Sequence, residues 1–205
     1  QIFATKAGII RTETDFEGII LKGVANDYDW TFFEEYLVEG KLPNYTNEVS
    51  NDVLISKEIA NRMALKLGDE FNILFVKNDP SKAPWIRVVK IIGVYNSGFQ
   101  EFDESFVIGD IRHIQKMNRW TEDEVGGFEV LISNFDEIEE KSNDVYLQTT
   151  STLNSKSIVE KYPSIFEWIS LFDNNIYLII IIMIFVAGIN MITALLVLIL
   201  ERTQM

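Results

Sequence analysis

Residues 176–200 read IYLIIIIMIFVAGINMITALLVLIL, a stretch without one charged side chain. At about 1.5 Å per residue it is long enough to cross the ~30 Å hydrocarbon core of a bilayer with some tilt. Domain helices usually run about 8–20 residues and carry apolar residues on one side; here isoleucines cover every face. A secretory signal would sit at the N-terminus and have a shorter apolar core. The sequence therefore predicts a membrane-spanning helix, with the preceding residues forming a domain held at a membrane. Asp173 precedes the span and Arg202 follows it, which by the positive-inside tendency places the C-terminal end in the cytoplasm.

Charge is confined to one side of that stretch. The net charge of −13 lies within residues 1–175, because beyond them the only charged residues are Glu201 and Arg202, which cancel. Such an acidic field repels nucleic acid and anionic headgroups and favours basic partners. Nucleic-acid binding is thereby excluded as an expectation. The absence of cysteine removes disulfides, thiol nucleophiles and Cys-based zinc sites. The chain begins at Gln1 with no targeting segment before Ile2, so an extracytoplasmic domain is expected to depend on a signal or membrane helix upstream, and the chain reads as an excised piece.

Along the chain, residues 7–13 and 17–24 read as paired strands, and 31–38 as a short amphipathic helix followed by turn chemistry at 39–44. Residues 52–55 read as a buried strand, with Ser56 capping a helix that places Ile59, Met63 and Leu67 on one face. Residues 71–76 and 85–95 form the clearest hairpin. Its connection, residues 77–84, holds Pro80 and Pro84 and is expected to project. A polar loop at 96–104, a strand from 105 to 108 and an Asp110-capped helix through Trp120 follow. Residues 128–132 read as a strand, and 136–140 as an acidic helix start. A helix capped by Ser164 then runs into the span without interruption, with 164–175 as connector, 176–200 as span and 201–205 as the start of a cytoplasmic segment.

Chemistry-bearing motifs are sparse. There is no phosphate loop, no nucleophile elbow and no HExxH, and the single histidine, His113, lacks companion ligands at metal-binding spacing. No metal, no cofactor and no catalysis are expected. What remains are interaction surfaces. The hairpin connection gathers Lys77, Pro80, Lys82, Pro84, Trp85 and Arg87, positive charges on an acidic domain. Phe166, Trp168 and Phe172 suit the headgroup level. Within the span, Gly188, Asn190 and Thr193 mark a helix-packing face, since small and polar residues prefer another helix to lipid.

Three stretches carry a resemblance: LISKEIANRMALKLGDEFNI (residues 54–73), VVKIIGVYNSGFQEFDESFVIGDIRHIQKMNRW (88–120) and FEWISLFDNNIYLIIIIMIFVAGINMITALLVLILERTQM (166–205). Within them a helix ends on Leu67, Gly68 and Asp69, and a hairpin closes on Ile91 to Tyr95. A loop carrying Gly98, Glu101 and Asp103 follows, and the last helix leaves the membrane at Glu201-Arg202. In order and spacing they resemble the lipoprotein-releasing ABC transporter permeases, LolC and LolE, of the superfamily that includes MacB and FtsX. The resemblance implies an α+β periplasmic domain over residues 1–163. A Porter-like α/β part would be interrupted by a β-rich Sabre-like part near 52–124, with the second membrane helix after it. It implies a separate ATPase subunit, a second permease subunit, and, for LolC-type subunits, a carrier resembling LolA docked on the hairpin, whose connection is shorter here. For LolE-type subunits it implies lipoprotein held near Phe166, Ile169 and Phe172. The alternatives are an FtsX- or MacB-like mechanotransmitter acting on a cell-wall hydrolase or efflux channel, and a membrane-anchored sensor or adhesin.

Overall fold

The computed structural model describes residues 1–12, 15–46, 48–77 and 83–203, with the side chains of 173, 174 and 203 outside that description. The architecture is α+β with a long C-terminal helix, and the chain divides into two compact units, Gln1–Leu131 and Ile132–Met205.

In the first unit, six strands pair around a ring: β1 (Ile2–Arg11), β2 (Phe16–Val24), β4 (Asp52–Ser56), β5 (Glu70–Phe75), β6 (Trp85–Tyr95) and β7 (Phe106–Asp110). Going round, β1 pairs β2, then β7, β4, β6 and β5, and β5 returns to β1 through Ile9↔Leu74, Ile10↔Ile73 and Arg11↔Asn72. The β2–β7 and β4–β6 pairs are parallel and the others antiparallel. Closing a sheet on itself gives every inward side chain a common core. That core holds Ile10, Leu21, Val53, Ile55, Phe71, Ile73, Phe75, Ile91 and Val107. Two helices cover it, α2 (Lys57–Arg62) through Ile59 and α4 (Ile111–Asn118) through Ile111 and Ile114.

A second apolar layer lies on the outer side of the same strands. Val24, Leu54, Tyr95 and Ile108 alternate with inward neighbours and meet Phe33 of α1 (Thr31–Tyr36), together with Tyr45. Strands β4 and β7 are thus buried on both faces, which explains their unbroken apolar runs. Phe33 sits edge-on to Tyr95, ring centres 5.2 Å apart. Burial pushes the Tyr45 and Tyr95 phenols well above the ordinary value, so both hydroxyls stay protonated and donate, to the carbonyls of Asp52 and Phe106.

Several boundaries differ from the sequence reading. The helix expected over 31–38 stops at Tyr36, and β3 (Leu37–Gly40) takes over the expected turn residues by pairing with the end of β6. Gly40 has φ +85° and lies where a Cβ would meet the Ile92 carbonyl at 2.2 Å, so only glycine fits. Ser56 does cap α2, accepting from the Ile59 amide, but the helix ends at Arg62 and leaves Leu67 in a turn, largely exposed. The loop 96–104 contains a short helix, α3 (Gln100–Asp103), whose Asp103 carboxylate accepts from Ser97 and Gly98. Helix α4 ends before Trp120 because Arg119 turns left-handed. The strand expected at 128–132 is only β8 (Gly127–Phe128), paired with Ile2 and Phe3 of β1, and Val130 and Leu131 beyond it are exposed.

Asp110 ties α4 to the loop before β4. Its buried carboxylate accepts from the Arg112 amide and guanidinium and from the Ser50 amide at 2.9 Å. Beside it, His113 Nε2 donates to the Ser50 carbonyl at 2.8 Å, since a carbonyl can only accept. Burial depresses the His113 pKa below the ordinary histidine value, although the Ser50 bond opposes the shift.

The second unit begins with a 3-10 turn (Phe135–Glu137) and α5 (Ile138–Gln148). Next comes α6 (Ile158–Lys161), whose Ser157 and Glu160 form a capping box. Helix α7 (Pro163–Thr203) then runs unbroken, about 60 Å at 1.5 Å per residue. It is long and apolar enough to cross a membrane. It starts at Pro163 itself, so Ser164 is not its cap; proline suits a first helical position because the N–H it lacks would have no partner there.

Truncating Phe33 to alanine should cost about 3–5 kcal/mol in equilibrium unfolding of the full chain in detergent. Phe16→Ala, at an 81 % exposed site, should cost less than about 0.5 kcal/mol; equal effects would show that the outer aromatic layer is not core. For His113 the unfolded state binds the proton more readily. Stability is therefore whole above the unfolded pKa near 6.5 and falls as pH drops through it toward the lower folded value. His113→Gln should remove that part of the slope, read as the wild-type minus variant difference between about pH 5.5 and 7.

Candidate interaction surfaces

The hairpin of β5 and β6 carries one surface. Its last pair is Phe75↔Trp85, and the Trp85 ring has Lys77 Nζ 4.4 Å and the Arg87 guanidinium 5.9 Å from its centre. Two cations thus share one indole in a chain of net charge −13, held there by the ring's negative face. Lys77 and Arg87 are both half-buried, the Arg87 Nε–H buried and without an acceptor among the described residues. Pro84 is exposed beside them. Pro80 and Lys82, the remaining sequence-predicted residues of this loop, lie outside the described residues.

On the opposite face of the same strands, a row of apolar side chains points outward. Ile9, Leu74 and Ile86 stand directly across from one another on β1, β5 and β6, with Val88 and Val76 alongside, and Ile86 and Val88 are 54 % and 51 % exposed. The sequence reading took residues 85–95 as one arm of a hairpin without assigning its faces. Its burial alternates from Val88 to Ile91, a period-two signal that becomes legible only once the inward face is known.

In the second unit, Phe166 of α7 is half-buried and stacks on Phe135, ring centres 5.6 Å apart and planes at 10°. The two rings line a shallow apolar groove with Ile138, Tyr146 and Val159. Ile169 and Phe172 are exposed, and Phe172 meets Trp168 edge-on at 5.0 Å rather than joining Phe166. Phe135 was not anticipated, because its role depends on a helix that begins almost thirty residues later. Further along α7, Asn190 and Thr193 lie about 60° apart around the helix axis, while Gly188 is on the far side. The Thr193 hydroxyl donates to the Ile189 carbonyl at 2.8 Å, so its polarity is met within the helix.

Among the described residues, no group of three or more His, Asp or Glu side chains is arranged to hold a metal ion. The adjacent carboxylates Asp103 and Glu104 act separately, the first within its own loop and the second accepting from Gln100 at 2.7 Å.

No known family profile matches the chain, and no curated protein matches it. Among solved structures, the chain is similar to the extracellular domain of the noncanonic ABC-type transporter YknZ from Gram-positive bacteria. The two are 17% identical, with 69% of this chain and 68% of that one covered, at a TM-score of 0.45. It is also similar to a domain of a permease protein from Porphyromonas gingivalis, 14% identical, covering 73% of this chain and 68% of that one at a TM-score of 0.32.

Proposed function

We propose that this chain is the extracytoplasmic domain and a membrane helix of an ABC transporter permease, one that releases lipoproteins from the inner membrane to a periplasmic carrier. It does no chemistry itself. A separate ATPase subunit supplies the energy, a second permease subunit completes the membrane part, and motion passes through the membrane helix to the periplasmic domain. The observation that carries this reading is α7: a single helix from Pro163 to Thr203 joins a span-length apolar stretch to the extramembrane part of its unit without a hinge. The order of motifs that resembles lipoprotein-releasing permeases supports the same reading. Residues 52–124 correspond in it to the Sabre-like part and the flanks to the Porter-like part.

In this reading the carrier docks at the hairpin, where Trp85 between Lys77 and Arg87 offers an aromatic anchor with positive flanks to an acidic, partly apolar partner. Lipoprotein is held near Phe166, Ile169 and Phe172, and Gly188, Asn190 and Thr193 meet neighbouring membrane helices. The brevity of the β5–β6 connection favours a second reading, an FtsX- or MacB-like mechanotransmitter acting on a cell-wall hydrolase or an efflux channel.

Affinity purification of the full-length parent from its native membrane, followed by mass spectrometry, separates them. Recovery of an ABC ATPase with a periplasmic lipoprotein carrier or trapped lipoproteins is the expected result. An ATPase with a hydrolase or outer-membrane channel would establish the second reading, and no ATPase at all would overturn both. Combining Lys77→Glu with Trp85→Ala should weaken carrier recovery about 10-fold or more while leaving ATPase recovery unchanged.

A further inference from the structure

At one corner of the ring, three stretches of chain meet around a single ion pair. Lys22, on the outer side of β2, is 8 % exposed. Its ammonium reaches Glu129 Oε1 at 2.6 Å and lies 5.3 Å from the Tyr28 ring centre and 5.7 Å from that of Phe3. The other carboxylate oxygen of Glu129 accepts from the Gln1 side-chain amide at 3.2 Å. The Gln1 carbonyl group of that amide accepts in turn from the Asp29 backbone at 2.8 Å. The Glu129 backbone exchanges two hydrogen bonds with Gln1, at 2.9 and 3.0 Å.

This corner is also where the chain leaves the first unit, which ends at Leu131. Beyond the ion pair, the exit segment is held by backbone bonds to Gln1, Ile2 and Phe3. Strand β8 is two residues long and pairs only with Ile2 and Phe3; Gly126 donates to the Phe3 carbonyl at 2.9 Å. It lies so close that a Cβ on Gly126 would meet Ala4 Cα at 2.8 Å. Val130 and Leu131 beyond it are exposed. Lys22 is buried whereas the Glu129 side chain is a third exposed, so loss of the Glu129 carboxylate leaves a buried ammonium without its ionic partner.

We propose that Lys22 and Glu129 form a releasable clasp that decides whether residues 126–129 lie zipped on β1 or hang free as linker. Closed, it fixes the point at which the chain leaves the ring. Open, it lengthens the connection to the following unit by up to about 13 Å, at about 3.3 Å per extended residue, while the ring stays folded. The clasp is independent of the permease reading, since it follows from contacts within the first unit alone.

Hydrogen exchange read by mass spectrometry on the full chain in detergent tests it. Glu129→Gln should speed exchange in peptides covering residues 126–131 about 10-fold or more, while peptides of β4, β6 and β7 keep wild-type protection. Lys22→Met should open the same segment, and the double variant should open it no further than the more disruptive single, because both remove one interaction. Unchanged exchange at 126–131 in Glu129→Gln would overturn the clasp. So would loss of protection spread evenly over the ring, or effects of the two substitutions that multiply in the double variant.

Discussion

Closure of the six strands into a ring is the constraint on which the first unit depends. It rests on short seams: β1 meets β5 over three residue pairs and β4 meets β7 over two. Such brief ladders hold because the side chains they bring inward form one core, and because β4 and β7 are gripped from outside as well, by Phe33, Tyr45 and Tyr95. Backbone pairing, inner core and outer aromatic layer therefore stand or fall together. The Asp110 network adds a polar anchor, binding the start of α4 to the loop that feeds β4.

Local signals in the sequence were faithful where the structure they describe is itself local. The β5–β6 hairpin, the caps at Ser56 and Asp110 and the long apolar helix all depend on residues near one another in the chain. The misreadings fall where a distant partner decides. Leu37 leaves the helix because Tyr95 offers it a ladder, and β8 forms where Ile2 and Phe3, more than a hundred residues earlier, pair with it. Ring closure itself, which needs four pairings between non-consecutive strands (β2–β7, β7–β4, β4–β6 and β5–β1), has no signature in periodicity.

The interaction surfaces divide in the same way. Trp85 and its cations were visible as neighbours in sequence, but the shared indole requires Lys77 to come across from the other arm of the hairpin. Phe166 was visible as an interfacial aromatic; its stacking on Phe135 was not. The three polar or small residues of the span looked like one face when read as a string. Helical geometry disperses them, and the Thr193 hydroxyl is already occupied by its own backbone.

The outward row of Ile9, Leu74, Ile86 and Val88 has a consequence for handling the protein. Fluorescent reporters of exposed hydrocarbon normally signal loss of tertiary packing, yet here the native wall already presents a contiguous apolar strip to solvent. A dye-based melt would start from a bright baseline and understate cooperativity. Near-ultraviolet circular dichroism, which senses the packed rings of Phe33, Tyr45 and Tyr95, reports instead on the part of the molecule whose order changes.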